Sequence, residues 1–264
     1  MAKLKGPLAF TGKLQGFSAY TRIGTEGVIL RQSTGPSKHD IETKPSFANT
    51  RRNNKEFGGR STASKLIRDG HHPLKPVSDL TDLARLNALL KPIQEMDTQS
   101  EYGKRSVALS LNRQLLEGFP LNEKHPFESV VRNPVDIDLS REELKAIVTL
   151  PALLSSVNFY PPTRHPFFRV IATLSIVPDL VYNEKKYRPL ENYDSFRPEA
   201  VMTAWMAVTA GSESISMELQ MPVAPPDDQF SLVLAIGIEM GTAQSTALIK
   251  GVKYAGTGKI AKVG

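Results

Sequence analysis

The chain has 264 residues, of which 40% are hydrophobic and 23% charged, with a net charge of +6 and no cysteine. That length supports one large or two modest domains with a sizeable core. The absence of thiols excludes disulfides, thiolate metal sites and cysteine nucleophiles, and fits a reducing compartment.

Nineteen prolines and eighteen glycines point to many turns and short elements. The opening MAKLKGPLAFTG is basic but has no apolar segment behind its charges, so it does not read as a secretory signal. No stretch is long and apolar enough to read as a membrane span. The expectation is a soluble, cytoplasmic protein. Charge is unevenly placed. Residues 1–75 hold 14 Lys/Arg against 5 Asp/Glu, whereas residues 76–264 hold 19 against 22. Such a split suits a basic segment that meets either phosphates or the acidic part of another copy.

Residues 1–45 read as an N-terminal β-arm with a connector. Leu8 and Phe10 alternate with small residues, Gly12, Gly16, Gly24 and Gly27 punctuate, and Val28-Ile29-Leu30 reads as a strand. A ribbon of this kind is marginal alone and is expected to join a host sheet. Gln32–Pro45 is polar, carries two prolines and reads as a flexible connector.

Residues 46–105 read as a helical segment. Ser46 caps a helix that runs to Arg68, with Arg51, Arg52, Lys55, Arg60, Lys65 and Arg68 spread around its faces. Gly58-Gly59 costs that helix roughly 1 kcal/mol per glycine, which close approach of another backbone would explain. Asp69-Gly70 and Pro73 end it. A second helix runs from Ser78 to about Leu90, where Lys91-Pro92 ends or kinks it.

Over residues 106–264 the period changes to two. Alternating runs recur at Val107–Leu111, Val135–Leu139, Ala146–Leu150, Val170–Ile176, Met202–Val208, Ile215–Met221 and Phe230–Ile238, with a last strand at Ile249–Tyr254. No helices separate these strands. The fold class expected is mainly β: an antiparallel Greek-key β-sandwich with an N-terminal β-arm or hairpin and two to three helices.

No catalytic constellation stands out. Gly256-Thr257-Gly258-Lys259 lacks the spacing of a phosphate-binding loop and reads as a turn with a basic tail. His71-His72 has no further ligands at metal spacing and reads as a pair of exposed loop histidines. Asp227-Asp228, after two prolines, reads as a turn that feeds a strand. No metal or other cofactor is expected. Helix 47–68 offers Arg51, Arg52, Asn54, Lys55 and Arg60 as nucleic-acid contacts, although Gly58-Gly59 is a poor centre for a recognition helix. The loop from Phe159 to Phe168 is aromatic and Pro-rich, and could serve a carbohydrate or another ligand, or simply cover one end of the sandwich.

Four phrases, KLKGPLAFTGKL, NTRRNNKEFGGRS, LNALLKPIQEMD and PPDDQFSLVLAIGI, carry a resemblance that extends over most of the chain. Together they resemble a family of uncharacterised proteins common in Bacteroidota. That resemblance implies a bacterial cytoplasmic origin. It brings no activity and no site residues.

The function expected is that of a non-enzymatic structural protein that self-assembles into a homo-oligomer, filament or tube through its N-terminal arm. Phe10, Phe17, Tyr20 and Ile29 are its expected anchors, with Arg51, Arg52 and Phe57 as further interface residues. A nucleic-acid-binding protein using helix 47–68, and a ligand- or carbohydrate-binding sandwich, are the alternatives. No membrane insertion is expected.

Overall fold

A computed structural model describes residues 2–6, 9–22, 24–33, 35–245 and 248–264, so Leu8 lies outside the described residues. The chain divides into two compact units, residues 1–51 and 52–264.

The first unit contains β1 (Ala2–Leu4), β2 (Gly12–Leu14), β3 (Phe17–Tyr20) and β4 (Val28–Gln32), in the antiparallel order β1-β4-β3-β2. Gln15 and Gly16 join β2 to β3 with φ of 40° and 82°. Two consecutive positive φ values make the tight turn whose twist matches a hairpin. The ribbon expected to need a host sheet therefore builds a sheet of its own. The connector expected to be flexible holds α1 (Lys38–Thr43). Its start is a reciprocal cap. Asp40 donates its amide to the Ser37 hydroxyl (3.0 Å), and the Asp40 carboxylate accepts from the Ser37 amide (3.1 Å). A single 3-10 turn, Pro45–Phe47, leads into α2 (Ala48–Gly70).

The second unit adds α3 (Asp82–Glu95), α4 (Phe127–Val130), β5 (Asp136–Ser140), β6 (Lys145–Leu150) and β7 (Phe167–Pro178). There follow β8 (Val181–Tyr182), β9 (Tyr187–Arg188), β10 (Glu199–Met202), β11 (Met206–Ala207), β12 (Ile215–Gln220), β13 (Phe230–Ala243), β14 (Ile249–Gly251) and β15 (Thr257–Val263). The long pair β7–β13 is the spine, in register from Phe167↔Gly241 to Pro178↔Phe230. β10 and β11 pair with the other edge of β7, and β15 and β14 share the other edge of β13. A second sheet, β12-β6-β5, is also antiparallel.

Side-chain parity sorts the layers. Even-numbered residues of the spine, such as Val170, Leu174, Leu234 and Ile238, pack with Val148, Leu150 and Met217 of the second sheet. Odd-numbered residues, such as Ile171, Val177 and Val233, pack with Ile67, Leu86 and Leu90 of the helices. The protein is thus mainly β, an antiparallel β-sandwich with a helical layer on one outer face. The spine is buried on both sides, whereas β6 and β12 keep a strict in–out alternation because one face meets solvent.

Close packing of α2 on this unit needs small residues. A Cβ on Gly59 would lie 2.8 Å from the Tyr187 ring, and one on Gly70 would lie 2.4 Å from the Ser175 hydroxyl. Gly58, by contrast, faces open space.

Further expectations differ from the structure in the second unit. Val107–Leu111 is not a strand. Val107 makes one isolated bridge to Leu180, and Leu109–Leu111 forms a 3-10 turn because Asp179 captures the amide and hydroxyl of Ser110 (2.9 and 2.5 Å). The run Met202–Val208 breaks into β10 and β11, where Trp205 turns to lie under the Arg169 guanidinium at 4.7 Å. Helix α3 does not end at Leu90 but continues through Pro92 to Glu95. The residue whose carbonyl loses its partner there, Ala88, lies on the exposed face. Of the supposed turn at Gly256–Lys259, Thr257–Lys259 begin β15, paired with β13, and Gly256 just before it lets the chain approach the Ile238 carbonyl.

Candidate functional site: the N-terminal sheet and the basic helix

Cross-strand pairing fixes the two faces of the N-terminal sheet. Leu14 sits opposite Phe17, Ala19 opposite Leu30, and Leu4 opposite Val28, so one face is apolar. Lys13 sits opposite Ser18, Ser18 opposite Arg31, Tyr20 opposite Ile29, and Ile29 opposite Lys3, so the other face is cationic. Of the apolar side chains described in this unit, only Ala19, Val28 and Ile29 are buried. Leu14 is 56% exposed and Phe17 45%, although they form a direct cross-strand pair. Phe10 and Tyr20 are exposed as well. Three buried apolar residues make a small core among the described residues of this unit. Among the proposed anchors, Phe10, Phe17 and Tyr20 are therefore available at the surface. Ile29 is at 7% exposure and serves the interior. Leu14 does not stand out in the sequence; the two-residue turn is what pairs it with Phe17. Residues 1–51 carry eight Lys/Arg against three Asp/Glu, a net of +5.

The basic helix spends most of its charge within the chain. The Arg51 guanidinium donates to the carbonyls of Ile41 (2.7 Å) and Lys44 (2.9 Å). Arg52 packs against Gly103, whose φ of 99° suits a residue without Cβ. The Asn53 side chain accepts from the Tyr102 hydroxyl. Lys55 lies over the Tyr182 ring at 5.3 Å, and Arg60 donates to Gln94 at 2.7 Å. Asn54 is exposed, and Phe57 is 54% exposed beside the Arg60 guanidinium. Glu56, 2% exposed, is clasped by Arg105 through two 2.7 Å bonds and by the Gly103 amide at 2.9 Å. Burial alone would raise the Glu56 carboxyl; Arg105 and the Gly103 amide outweigh it and hold the group below its usual range.

The other singled-out residues are structural. Phe159 and Phe168 stack in the core at 4.6 Å rather than lining an open loop, and Tyr160 lies under Arg132. Asp227 accepts from the Tyr193 hydroxyl (2.6 Å) and the Gln229 amide, while the Asp228 side chain stands in solvent. Lys259 pairs with Glu128. His71, expected to be exposed, is buried at 3%.

A cleft of about 610 Å³ opens between the end of α2 and the loop that follows β9, walled by Tyr187, Tyr193 and Phe196 with Arg188 and Arg197 at its polar side. Burial and the Asp227 carboxylate push the Tyr193 phenol up. Among the described residues no group of three or more His, Asp or Glu side chains is placed to hold a metal. None of the described helices is long and apolar enough to cross a membrane.

The outer face of the second sheet has the opposite sign from the N-terminal unit. Asp136, Asp138 and Glu218 point outward there, with Asp138, Ile147 and Glu218 in one cross-strand row. Lys145 is the cation on that face and is tied to Glu218 at 2.7 Å. No protein-family model matches the chain, and comparisons with curated proteins and with solved structures return no match.

Proposed function

We propose that this is a non-enzymatic structural protein of the cytoplasm that associates with further copies of itself through residues 1–51. The observation that carries this reading is the exposed Leu14–Phe17 pair on a sheet whose described residues bury only Ala19, Val28 and Ile29 as apolar core. Exposed apolar surface of this kind is removed from water by docking, at roughly 25 cal/mol per Å². Charge selects the occupant. The cationic face with Lys3, Lys13 and Arg31, turned away from the Leu14–Phe17 pair, makes a second contact: it complements the acidic outer sheet with Asp136, Asp138 and Glu218 on a neighbouring copy. Because donor and acceptor surfaces differ, the contact is head-to-tail, which closes into a ring or runs on as a filament.

The nucleic-acid reading has less support, since Arg51 and Arg60 are already engaged within the chain and Lys55 lies over a ring. The test is light scattering on the full chain across a wide concentration range, beside a variant with Phe10→Ser, Leu14→Ser and Phe17→Ser. The expected result is a mass above the monomer that falls with rising salt and is lost in the variant, with the circular dichroism spectrum unchanged. A monomer at every concentration, or an oligomer indifferent to the substitutions, defeats the reading.

A further inference from the structure

One side chain is out of keeping with its surroundings. His71 follows the last residue of α2 and is 3% exposed, yet neither Nδ1 nor Nε2 has a hydrogen-bond partner among the described residues. A buried imidazole without partners is costly, on the order of 1–3 kcal/mol per unmet group. Burial and the nearby Arg68 push its pKa down to about 4, so near neutral pH the ring is uncharged and offers one donor and one acceptor.

His71 lines a pocket of about 420 Å³. One wall is the last turns of α2 with Ser61, Lys65 and Arg68, another is the turn with His72 and Lys75, and the floor is the start of α3 with Asp82. Lys65 and Lys75 form no ion pair among the described residues. Arg68 reaches Asp82 through Nε at 3.1 Å, which leaves the terminal nitrogens of its guanidinium to face elsewhere. The acidic groups of the pocket are Asp69 and Asp82, and Asp82 is 2% exposed. Three cations therefore face two carboxylates, one of them already committed. Thr81 puts no side-chain cap on α3, and the positive end of that helix is already met by the Asp82 carboxylate, which accepts from the Leu83 amide at 2.6 Å.

We propose that this pocket binds a small phosphate ester that also carries hydroxyl groups, such as a sugar phosphate. Lys65, Lys75 and the free edge of Arg68 take the phosphoryl oxygens; both ring nitrogens of His71 are closed to solvent, so its neutral ring meets the ligand's oxygens and hydroxyls only after it turns toward the pocket. A volume near 420 Å³ suits a molecule of that size and exceeds what inorganic phosphate needs. This site is separate from the surface proposed for assembly.

The experiment is calorimetric titration of the full chain near neutral pH with glucose 6-phosphate, ribose 5-phosphate, inorganic phosphate and unphosphorylated glucose. Ring signals of the histidines are followed by NMR in parallel. A sugar phosphate is expected to bind with Kd of about 1 mM or tighter, inorganic phosphate about tenfold more weakly, and glucose without heat. Lys65→Gln with Lys75→Gln is expected to weaken binding about tenfold or more with an unchanged melting curve, since both residues lie at the surface. The His71 ring signals are expected to move on titration. If no sugar phosphate binds, the proposal fails. Binding that survives the lysine substitutions and leaves the His71 signals in place also overturns it, because the ligand then sits elsewhere. Inorganic phosphate binding as tightly as the esters overturns the ligand class. His71→Gln is a second variant: if it folds and binds undiminished, the histidine's assigned part is wrong.

Discussion

Gly58 and Gly59 are adjacent in one helix, and replacing each by alanine should change stability in opposite directions. In a helix interior glycine costs roughly 1 kcal/mol relative to alanine, through the backbone entropy lost on folding. At Gly58 a new Cβ meets nothing within 4 Å, so Gly58→Ala should recover most of that, about 0.5–1 kcal/mol. At Gly59 the same Cβ would lie 2.8 Å from three atoms of the Tyr187 ring. That ring cannot step aside cheaply: it packs against Tyr182 at 5.3 Å, and its hydroxyl accepts from Gln94 at 3.4 Å. Overpacking of this kind costs about 1–3 kcal/mol, which outweighs the gain in helix propensity. Gly59→Ala should therefore be less stable than the parent by about 1–2 kcal/mol. Urea denaturation followed by far-ultraviolet circular dichroism and by Trp205 fluorescence reads both. If Gly59→Ala is as stable as the parent, α2 is not seated on β9 at that point and the packing account is refuted.

Replacing Glu56 by Gln should destabilise the protein by about 3 kcal/mol, because it leaves the Arg105 guanidinium without its buried counter-charge; a urea midpoint near that of the parent would show the pair to be dispensable. His71 should make stability fall with acid. Its folded pKa of about 4 lies below the free value of 6.5, so below pH 6.5 the unfolded chain takes a proton the folded one refuses. The loss begins near pH 6.5, is complete near pH 4 and amounts to about 3 kcal/mol. Melts of His71→Gln should lack that part of the decline, and parallel pH profiles for the two proteins would contradict the burial of an uncharged ring.

The sandwich was legible because its strands carry period-two patterns strong enough to read without tertiary information. Ile215–Gln220 alternates in sequence and alternates in burial. The helix at the centre of the basic stretch was legible from its spacing and from Asp69-Gly70 at its end; the close approach at Gly59 is made by a tyrosine ring rather than by the backbone expected there. Other parts were hidden for physical reasons. β15 carries Gly258 and two lysines, Lys259 and Lys262, within its seven residues, so its pairing with β13 rather than a clean apolar alternation makes it a strand. The burial of His71 depends on the way the turn after α2 folds beneath α3, and no local pattern encodes it. The cap Ser37-x-x-Asp40 was present in the sequence and would have identified α1 within the supposed connector. The apolar and basic faces of the N-terminal sheet depended on register, which the Gln15-Gly16 turn sets.

The contact between copies is tested most directly by zero-length carboxyl-to-amine cross-linking of an equal mixture of nitrogen-14 and nitrogen-15 protein. Peptides that join Lys3 or Lys13 to Asp136, Asp138 or Glu218 should appear with mixed isotopes, one partner light and the other heavy. The same links in single-isotope form only, or no links between these segments, would mean that the cationic sheet does not reach a second copy.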